Sequence, residues 1–121
     1  VKATGVDILA PAIGTAHGIY HKEPDISFNL IEEIALKTCM PLAIHGGTGL
    51  SPEVFKMCIK AGGAKVNIST SIKHIFRKSL EQYYQEHPTD FEPVRAIKYL
   101  QDAVIKEVSS YIDIFGSMNR V

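Results

Sequence analysis

The sequence lacks an excess of charge of either sign, and it lacks any long hydrophobic run. Lysine and arginine total 13, and aspartate and glutamate also total 13, so the formal net charge is zero. A chain with this balance offers no basic patch for nucleic acid and no polybasic segment for a membrane surface. No apolar run approaches the roughly 18 residues of a membrane-spanning helix, and no signal peptide opens the sequence. We therefore expect a cytoplasmic protein that binds neither nucleic acid nor a membrane.

Cysteine is also scarce, with two residues in the whole chain. Cys39 and Cys58 lie in helical patterns and have no spacing typical of a metal or redox pair. We expect both to be small core residues of a protein in a reducing compartment. The remaining composition, 45% hydrophobic and 21% charged over 121 residues, is that of an ordinary globular protein and predicts a single domain over residues 1–121.

Three apolar segments predict strands, and each is followed by a helical pattern. The segments are Gly5–Ile13, Leu42–Ile44 and Ala64–Ile68. The helices are expected to run from a cap at Asp25 or Ser27 to residues 37–39, from Ser51 to Lys60, from Ile72 to about Gln85, and from Pro93 to Gly116. Strands that alternate with helices predict right-handed βαβ units and a parallel sheet.

Polar or glycine-rich loops follow all three predicted strands. His17 lies in the first loop, His45 begins the glycine-rich second loop, and the polar segment Ser69–Ser71 follows the third strand. Because the carboxyl ends of parallel strands share one edge of the sheet, both imidazoles can face one crevice. Imidazoles are common zinc ligands, although a catalytic zinc usually has three protein ligands and these loops offer two.

Simpler interpretations exist for each loop taken alone. His45 could be a buried histidine before a tight turn, Ser69–Ser71 could be an ordinary helix cap, and His21 reads as a solvated loop residue. Taken together, the glycines after His45 and the helix start near Thr70 favour a phosphate site. Backbone N–H groups and the positive end of a helix dipole both attract an anion.

Four segments of the sequence resemble motifs of the class II, zinc-dependent fructose-bisphosphate aldolases and the related tagatose-bisphosphate aldolases. They are Ala12–Gly18, His45–Gly49, Lys65–Thr70 and Phe115–Arg120. The resemblance implies that His17 and His45 are two of three zinc-binding histidines. It also allows for a monovalent cation. It implies that dihydroxyacetone phosphate is bound by residues in three loops: Gly18, Gly46, Gly47, Thr48, Asn67, Ile68, Ser69 and Thr70.

The fold implied by the resemblance is a (β/α)8 TIM barrel, which takes about 250 residues. The present 121 residues would form its C-terminal part, about three βα units plus a terminal helix. The N-terminal part would supply the third zinc histidine and an aspartate proton donor, since Asp7 and Asp25 are poorly placed for that role. We expect the isolated chain to be inactive. We also expect it to form a homo-oligomer or to associate with the missing N-terminal part, because its strand edges would be exposed.

The expected reaction is the reversible, zinc-dependent cleavage of fructose 1,6-bisphosphate to dihydroxyacetone phosphate and glyceraldehyde 3-phosphate. Three alternatives remain open from the sequence. The substrate could be tagatose 1,6-bisphosphate, which differs in configuration at C4, although the triple glycine after His45 favours fructose. The enzyme could instead use Lys65 as a Schiff-base nucleophile. Finally, the chain could be a non-catalytic, phosphate-binding half-barrel.

Overall fold

A computed structural model describes residues 1–22 and 24–120, and the chain divides into two compact units, Val1–Ile68 and Ser69–Val121. The first unit contains helix α1 (Phe28–Thr38), strand β1 (Leu42–Ile44), helix α2 (Pro52–Lys60) and strand β2 (Gly63–Val66). The second unit contains helices α3 (Thr70–Glu86) and α4 (Pro93–Ile114). Within the described residues, no helix is both long enough and apolar enough to cross a bilayer.

Strands β1 and β2 pair in parallel, as the alternation of strands and helices predicted. Leu42 pairs with Gly63, Ala43 with Lys65 and Ile44 with Val66, with an irregularity between Leu42 and Ala43. The ladder continues one residue beyond β2, since the Asn67 N–H donates to the Ile44 carbonyl at 2.9 Å. This last bond places Asn67 beside the end of β1.

The prediction of a full first strand over Gly5–Ile13 was wrong. Only Leu9 pairs with β1, through a parallel bridge to Leu42. The Leu9 N–H donates to the Pro41 carbonyl at 3.1 Å, and the Ala43 N–H donates to the Leu9 carbonyl at 2.9 Å. Pro11 has no N–H to donate, so the ladder cannot continue two residues further on. The direction and position of the segment nevertheless agree with the expected parallel arrangement.

The core of the first unit forms around β1, whose three residues are all buried. The most deeply buried large side chains are Ile13, Ile31, Leu42, Ile44, Phe55 and Cys58. Burial of Cys58 confirms one expectation, but the same expectation for Cys39 was wrong. Cys39 is exposed and caps the C-terminus of α1 in the left-handed conformation, with a φ of 52°. The left-handed conformation takes Cys39 out of the helical repeat on which the expectation of burial rested.

Helix starts were predicted with mixed success. The Ser51 hydroxyl accepts a hydrogen bond from the Val54 N–H at 3.3 Å, and Pro52 is the first residue of α2, as expected. Helix α1 begins after Ser27 rather than Asp25, and the Ser27 side chain makes no capping hydrogen bond. The ends of α1 and α2 agree with the sequence pattern to within a residue.

The second unit is an antiparallel pair of helices. Near the connection, the Tyr83 hydroxyl donates to Asp90 at 2.6 Å, and Arg95 donates to the same carboxylate at 3.2 Å. At the far end of the pair, the Ser71 hydroxyl near the start of α3 bonds to Glu107 on α4. Helix α3 ends before His87–Pro88, as predicted.

Candidate active site

His17 and His45 lie together at the carboxyl edge of the sheet. His45 follows β1 directly and is half-buried, whereas His17 is exposed in the loop after Ile13. Their ring centres are 5.5 Å apart, and the ring planes meet edge to face at 77°. Two histidines separated by a whole helix in the sequence are therefore neighbours.

This separation fits two ligands of a single metal ion. Two imidazoles on one tetrahedral zinc have ring centres roughly 5 Å apart, because each ligating nitrogen lies about 2.0–2.1 Å from the ion. The part of the chain that the structure describes contains no group of three or more His, Cys, Asp or Glu side chains placed to hold a metal. The pair therefore offers two imidazole nitrogens to a possible ion, one fewer than the three protein ligands usual for a catalytic zinc.

Asn67 orients the His45 ring. The Asn67 side-chain nitrogen lies 2.8 Å from Nε2 of His45. The donor and acceptor roles depend on the tautomer of the ring. His45 keeps a lone pair for a metal on Nδ1 when Nε2–H donates to the Asn67 side-chain oxygen, which requires the amide to be turned over. A contact of this kind fixes the ring plane, and the tautomer decides which nitrogen can receive a ligand. Asn67 therefore positions the His45 side chain. The sequence did not indicate this role.

Tyr20 joins the two histidine loops, and sequence reasoning did not single it out. Its hydroxyl accepts a hydrogen bond from the Ala16 N–H at 2.9 Å and donates to the Gly46 carbonyl at 2.6 Å. In the sequence, Tyr20 is simply an aromatic residue in a polar stretch. Nothing in that stretch indicates a hydrogen bond to Gly46, 26 positions further along the chain.

The glycines beside the histidines serve different purposes. Gly46 has a φ of 70°, and a Cβ on it would lie 2.4 Å from the Ala16 carbonyl oxygen. A Cβ on Gly47 would lie 2.7 Å from the Phe55 ring. These two glycines therefore permit close packing within the protein. Gly18, by contrast, has a φ of 106° and open space where its Cβ would be, so a ligand can approach its backbone.

The remaining predicted phosphate residues fall in both units. Thr48 is half-buried in the glycine loop, and Ile68 is half-buried at the end of the first unit. Ser69 is exposed and Thr70 half-buried at the start of α3 in the second unit. The Ser69 side chain makes no capping hydrogen bond to α3. The simpler interpretation of this segment as an ordinary side-chain cap therefore does not apply to Ser69.

Four other ionisable side chains of the first unit are exposed. His21 lies in the loop, as expected, and Asp7 and Asp25 are both exposed. Lys65 on β2 is exposed as well. A lysine nucleophile of the Schiff-base type needs burial or a neighbouring cation to lower its pKa, so this position does not favour that alternative.

A depression of about 370 Å³ adjoins the site within the first unit. It is lined by Tyr20, His21, Lys22 and Pro24 from the first histidine loop, and by Gly49, Leu50, Ser51 and Val54 from the second loop and the start of α2. Neither His17 nor His45 lines it. The Tyr20 side chain borders the depression and also bonds to both histidine loops.

Comparison with known proteins gives a consistent result. The family model described as class II fructose-bisphosphate aldolase matches residues 1–120. A sulfofructosephosphate aldolase from Alkalicoccus urumqiensis is 37% identical over 115 residues, which cover 95% of this chain and 40% of the relative. The present chain thus spans about two fifths of the length of that relative.

Solved structures resemble the chain over nearly its whole length. The YdjI aldolase from Escherichia coli K12 is 27% identical with a TM-score of 0.82, over 98% of this chain and 42% of that one. A putative fructose-1,6-biphosphate aldolase from Coccidioides immitis is 25% identical with a TM-score of 0.87, over 98% and 41% of the two chains. A fructose-bisphosphate aldolase from Campylobacter jejuni shares the fold, with a TM-score of 0.77 at 16% identity, over 93% of this chain and 40% of that one.

Proposed function

This chain belongs to the class II fructose-bisphosphate aldolase family, and we propose that it is the part of a zinc-dependent aldolase that supplies two metal ligands and a phosphate-binding loop. The proposed reaction is the reversible cleavage of fructose 1,6-bisphosphate to dihydroxyacetone phosphate and glyceraldehyde 3-phosphate. The two cysteines are free, which agrees with a protein of the cytoplasm.

The observation that carries the proposal is the 5.5 Å separation of the His17 and His45 rings. The two side chains come from different loops, and their separation suits one ion. Zinc bound there would act as a Lewis acid that polarises the ketone carbonyl of the substrate. His17 and His45 would hold the ion, and Asn67 keeps the His45 ring in place through its 2.8 Å contact.

Phosphate binding is proposed for the loops at the carboxyl edge. In the first unit, the open space at Gly18 and the backbone of Gly46–Thr48 support this role. For Ser69 and Thr70 the support is the resemblance of the Lys65–Thr70 segment to the family motif, together with the position of these residues at a helix start. The same resemblance includes Asn67 and Ile68.

The fold of the complete protein is proposed to be a (β/α)8 barrel of which this chain forms the C-terminal part. The TM-scores of 0.82 and 0.87 against chains of which it covers 42% and 41% support that view. The rest of the barrel would contribute a third zinc ligand and the proton donor. Alone, the chain is proposed to be inactive and to associate through its open sheet edges.

A second candidate substrate follows from the relative that is 37% identical. That protein is a sulfofructosephosphate aldolase, and both its substrate and fructose 1,6-bisphosphate are phosphorylated ketoses by name. The residues of this chain would serve the phosphate that the two have in common. Discrimination between them would then depend on residues outside this chain.

The test is a chimera in which the preceding part of the Alkalicoccus relative is joined to this chain, with folding checked by circular dichroism. We expect cleavage of fructose 1,6-bisphosphate, complete inhibition by a chelator and recovery with Zn²⁺. Sulfofructosephosphate is assayed in parallel, and faster cleavage of it would make it the preferred substrate.

Single replacements in the chimera test the residue assignments. His17→Ala should lower the rate of cleavage by at least about 100-fold. Loss of a group that merely orients a metal ligand typically costs about 10–100-fold, and loss of the ligand itself should cost more. His21→Ala is the matched control, since His21 is an exposed histidine of the same loop, and its activity should be unchanged. Cleavage that persists in chelator, with substrate trapped on Lys65 by borohydride, would refute the zinc mechanism.

A further inference from the structure

The Tyr20 hydroxyl bonds to backbone groups next to both histidines. Ala16, whose N–H donates to the hydroxyl, immediately precedes His17. Gly46, whose carbonyl accepts from the hydroxyl, immediately follows His45. One side chain therefore connects the two loops at the positions nearest their imidazoles.

The backbones of the two loops are also in direct contact. A Cβ on Gly46 would lie 2.4 Å from the carbonyl oxygen, 2.7 Å from the carbonyl carbon and 3.0 Å from the nitrogen of Ala16. No side chain separates the loops at this point, so their spacing depends on backbone contact and on the Tyr20 bridge. A tyrosine suits this task because its ring is rigid and its hydroxyl can donate and accept at once.

We propose that Tyr20 is a positioning residue for the His17–His45 pair, and that its hydroxyl sets the separation of the two imidazoles for a metal ion. This inference rests on the proposed zinc function. Without the hydroxyl, the part-buried Gly46 carbonyl and the Ala16 N–H lose their partner and the loops are free to separate. Groups that orient metal ligands typically contribute about 10–100-fold to metal affinity, and we expect a loss in that range.

The experiment measures Cu²⁺ binding to the purified chain. Cu²⁺ binds nitrogen ligands more tightly than the other divalent first-row ions, so two imidazoles give a measurable affinity. Its electron paramagnetic resonance spectrum also reports the number of ligating nitrogens. Tyr20→Phe removes only the hydroxyl. Tyr84→Phe is the matched control, since Tyr84 is an exposed tyrosine on α3. A double variant, His17→Ala with His45→Ala, gives the background from other sites.

The expected result is at least about tenfold weaker binding by Tyr20→Phe, with the signature of two coordinated imidazoles lost, and unchanged binding by Tyr84→Phe. Equal affinity and equal spectra in Tyr20→Phe and the unchanged chain would overturn the Tyr20 proposal while leaving the zinc ligands intact. Binding by the unchanged chain that does not exceed the double-variant background would instead refute the metal pair, and the Tyr20 proposal with it.

A second measurement applies even if Tyr20→Phe fails to fold. Hydrogen exchange of the unchanged chain, resolved to single residues by mass spectrometry, should show the Ala16 amide protected relative to its loop neighbours. Addition of Cu²⁺ should slow its exchange further, because an ion held by both loops and a bridge between them stabilise the same arrangement. An unprotected Ala16 amide, or one whose exchange does not respond to Cu²⁺, would overturn the proposal.

Discussion

Gly46 is a single residue at which a side chain would disturb the candidate site. Replacement by alanine places a Cβ 2.4 Å from the Ala16 carbonyl oxygen and also strains a φ of 70°. We expect Gly46→Ala to lower the free energy of unfolding by about 2–5 kcal/mol, combining about 1–2 for the left-handed backbone with about 1–3 for the overpacking. Urea unfolding measures the change.

Gly5→Ala is the matched control for backbone strain alone. Gly5 has a φ of 62° and open space at its Cβ position. Replacement of Gly5 should lower the free energy of unfolding only by the cost of the left-handed backbone, about 1–2 kcal/mol. It should leave Cu²⁺ binding unchanged. If both variants lost the same free energy of unfolding, the contact between Gly46 and Ala16 would not contribute to the cost of Gly46→Ala.

Individual residues differ in how far the sequence predicts them. His17 and His45 could be chosen because each stands in a glycine-rich loop after an apolar segment, and the structure brings them together. Tyr20 could not be chosen, since its partners become visible only when the two loops meet in three dimensions. Cys39 was misplaced because helical periodicity does not show where a chain turns out of a helix.

Among the secondary-structure elements, α2 depends on its capping serine. The Ser51 hydroxyl accepts from the Val54 N–H, so Ser51→Ala should destabilise the chain by about 1 kcal/mol. Ser27→Ala is the matched control, because Ser27 caps α1 without a side-chain hydrogen bond. Thermal unfolding of both variants measures the difference. A Ser27→Ala loss as large as that of Ser51→Ala would contradict the assignment.

The connection between α3 and α4 should make stability depend on acid pH. The Tyr83 hydroxyl, the Glu92 N–H and the Arg95 guanidinium lower the pKa of Asp90 to about 2. An aspartate with a lowered folded pKa stabilises the fold above its unfolded pKa of about 3.9, and this contribution is lost as the pH falls towards 2. Asp90→Asn should therefore lower the melting temperature at pH 7. The decline in melting temperature between pH 5 and pH 2 should be smaller in this variant than in the unchanged chain.

Asp102→Asn is the control for that experiment, because Asp102 is an exposed carboxylate in the middle of α4. It should melt like the unchanged chain at every pH. If the Asp90→Asn chain lost stability in acid as steeply as the unchanged chain, the Asp90 carboxylate would not be the group responsible.

Elements with local signals were the ones the sequence predicted well. Proline at the start of α2 and α4, and His87–Pro88 after α3, mark helix ends through the chemistry of a few adjacent residues. The first strand was overestimated because an apolar run says nothing of its hydrogen-bonding neighbours. Leu9 has such a neighbour in β1, and Pro11 prevents the ladder from extending.

At the scale of the whole molecule, the open sheet should promote association. Within the described residues, β2 is hydrogen-bonded to β1 and to no further strand, so its other edge lacks a strand partner. We expect the apparent mass of the isolated chain in sedimentation to rise with concentration, whereas the chimera with a complete barrel should not associate through these edges. A monomer of the isolated chain that unfolds cooperatively at all concentrations would contradict this.

The connections of the two units also have a consequence for the order of folding. In the first unit, Leu9 must find Leu42, and β1 must find β2 across a helix, before any ladder bond forms. Helices α3 and α4 meet through a short connection instead. Contacts between residues distant in sequence form slowly, and local ones form fast. We therefore expect pulsed hydrogen exchange to find amides of α3 and α4 protected before those of Ala43 and Asn67, although ribosomal synthesis delivers the first unit earlier. The His17–His45 pair, which needs the Leu9–Leu42 and β1–β2 pairings, would then form later than the α3–α4 helix pair.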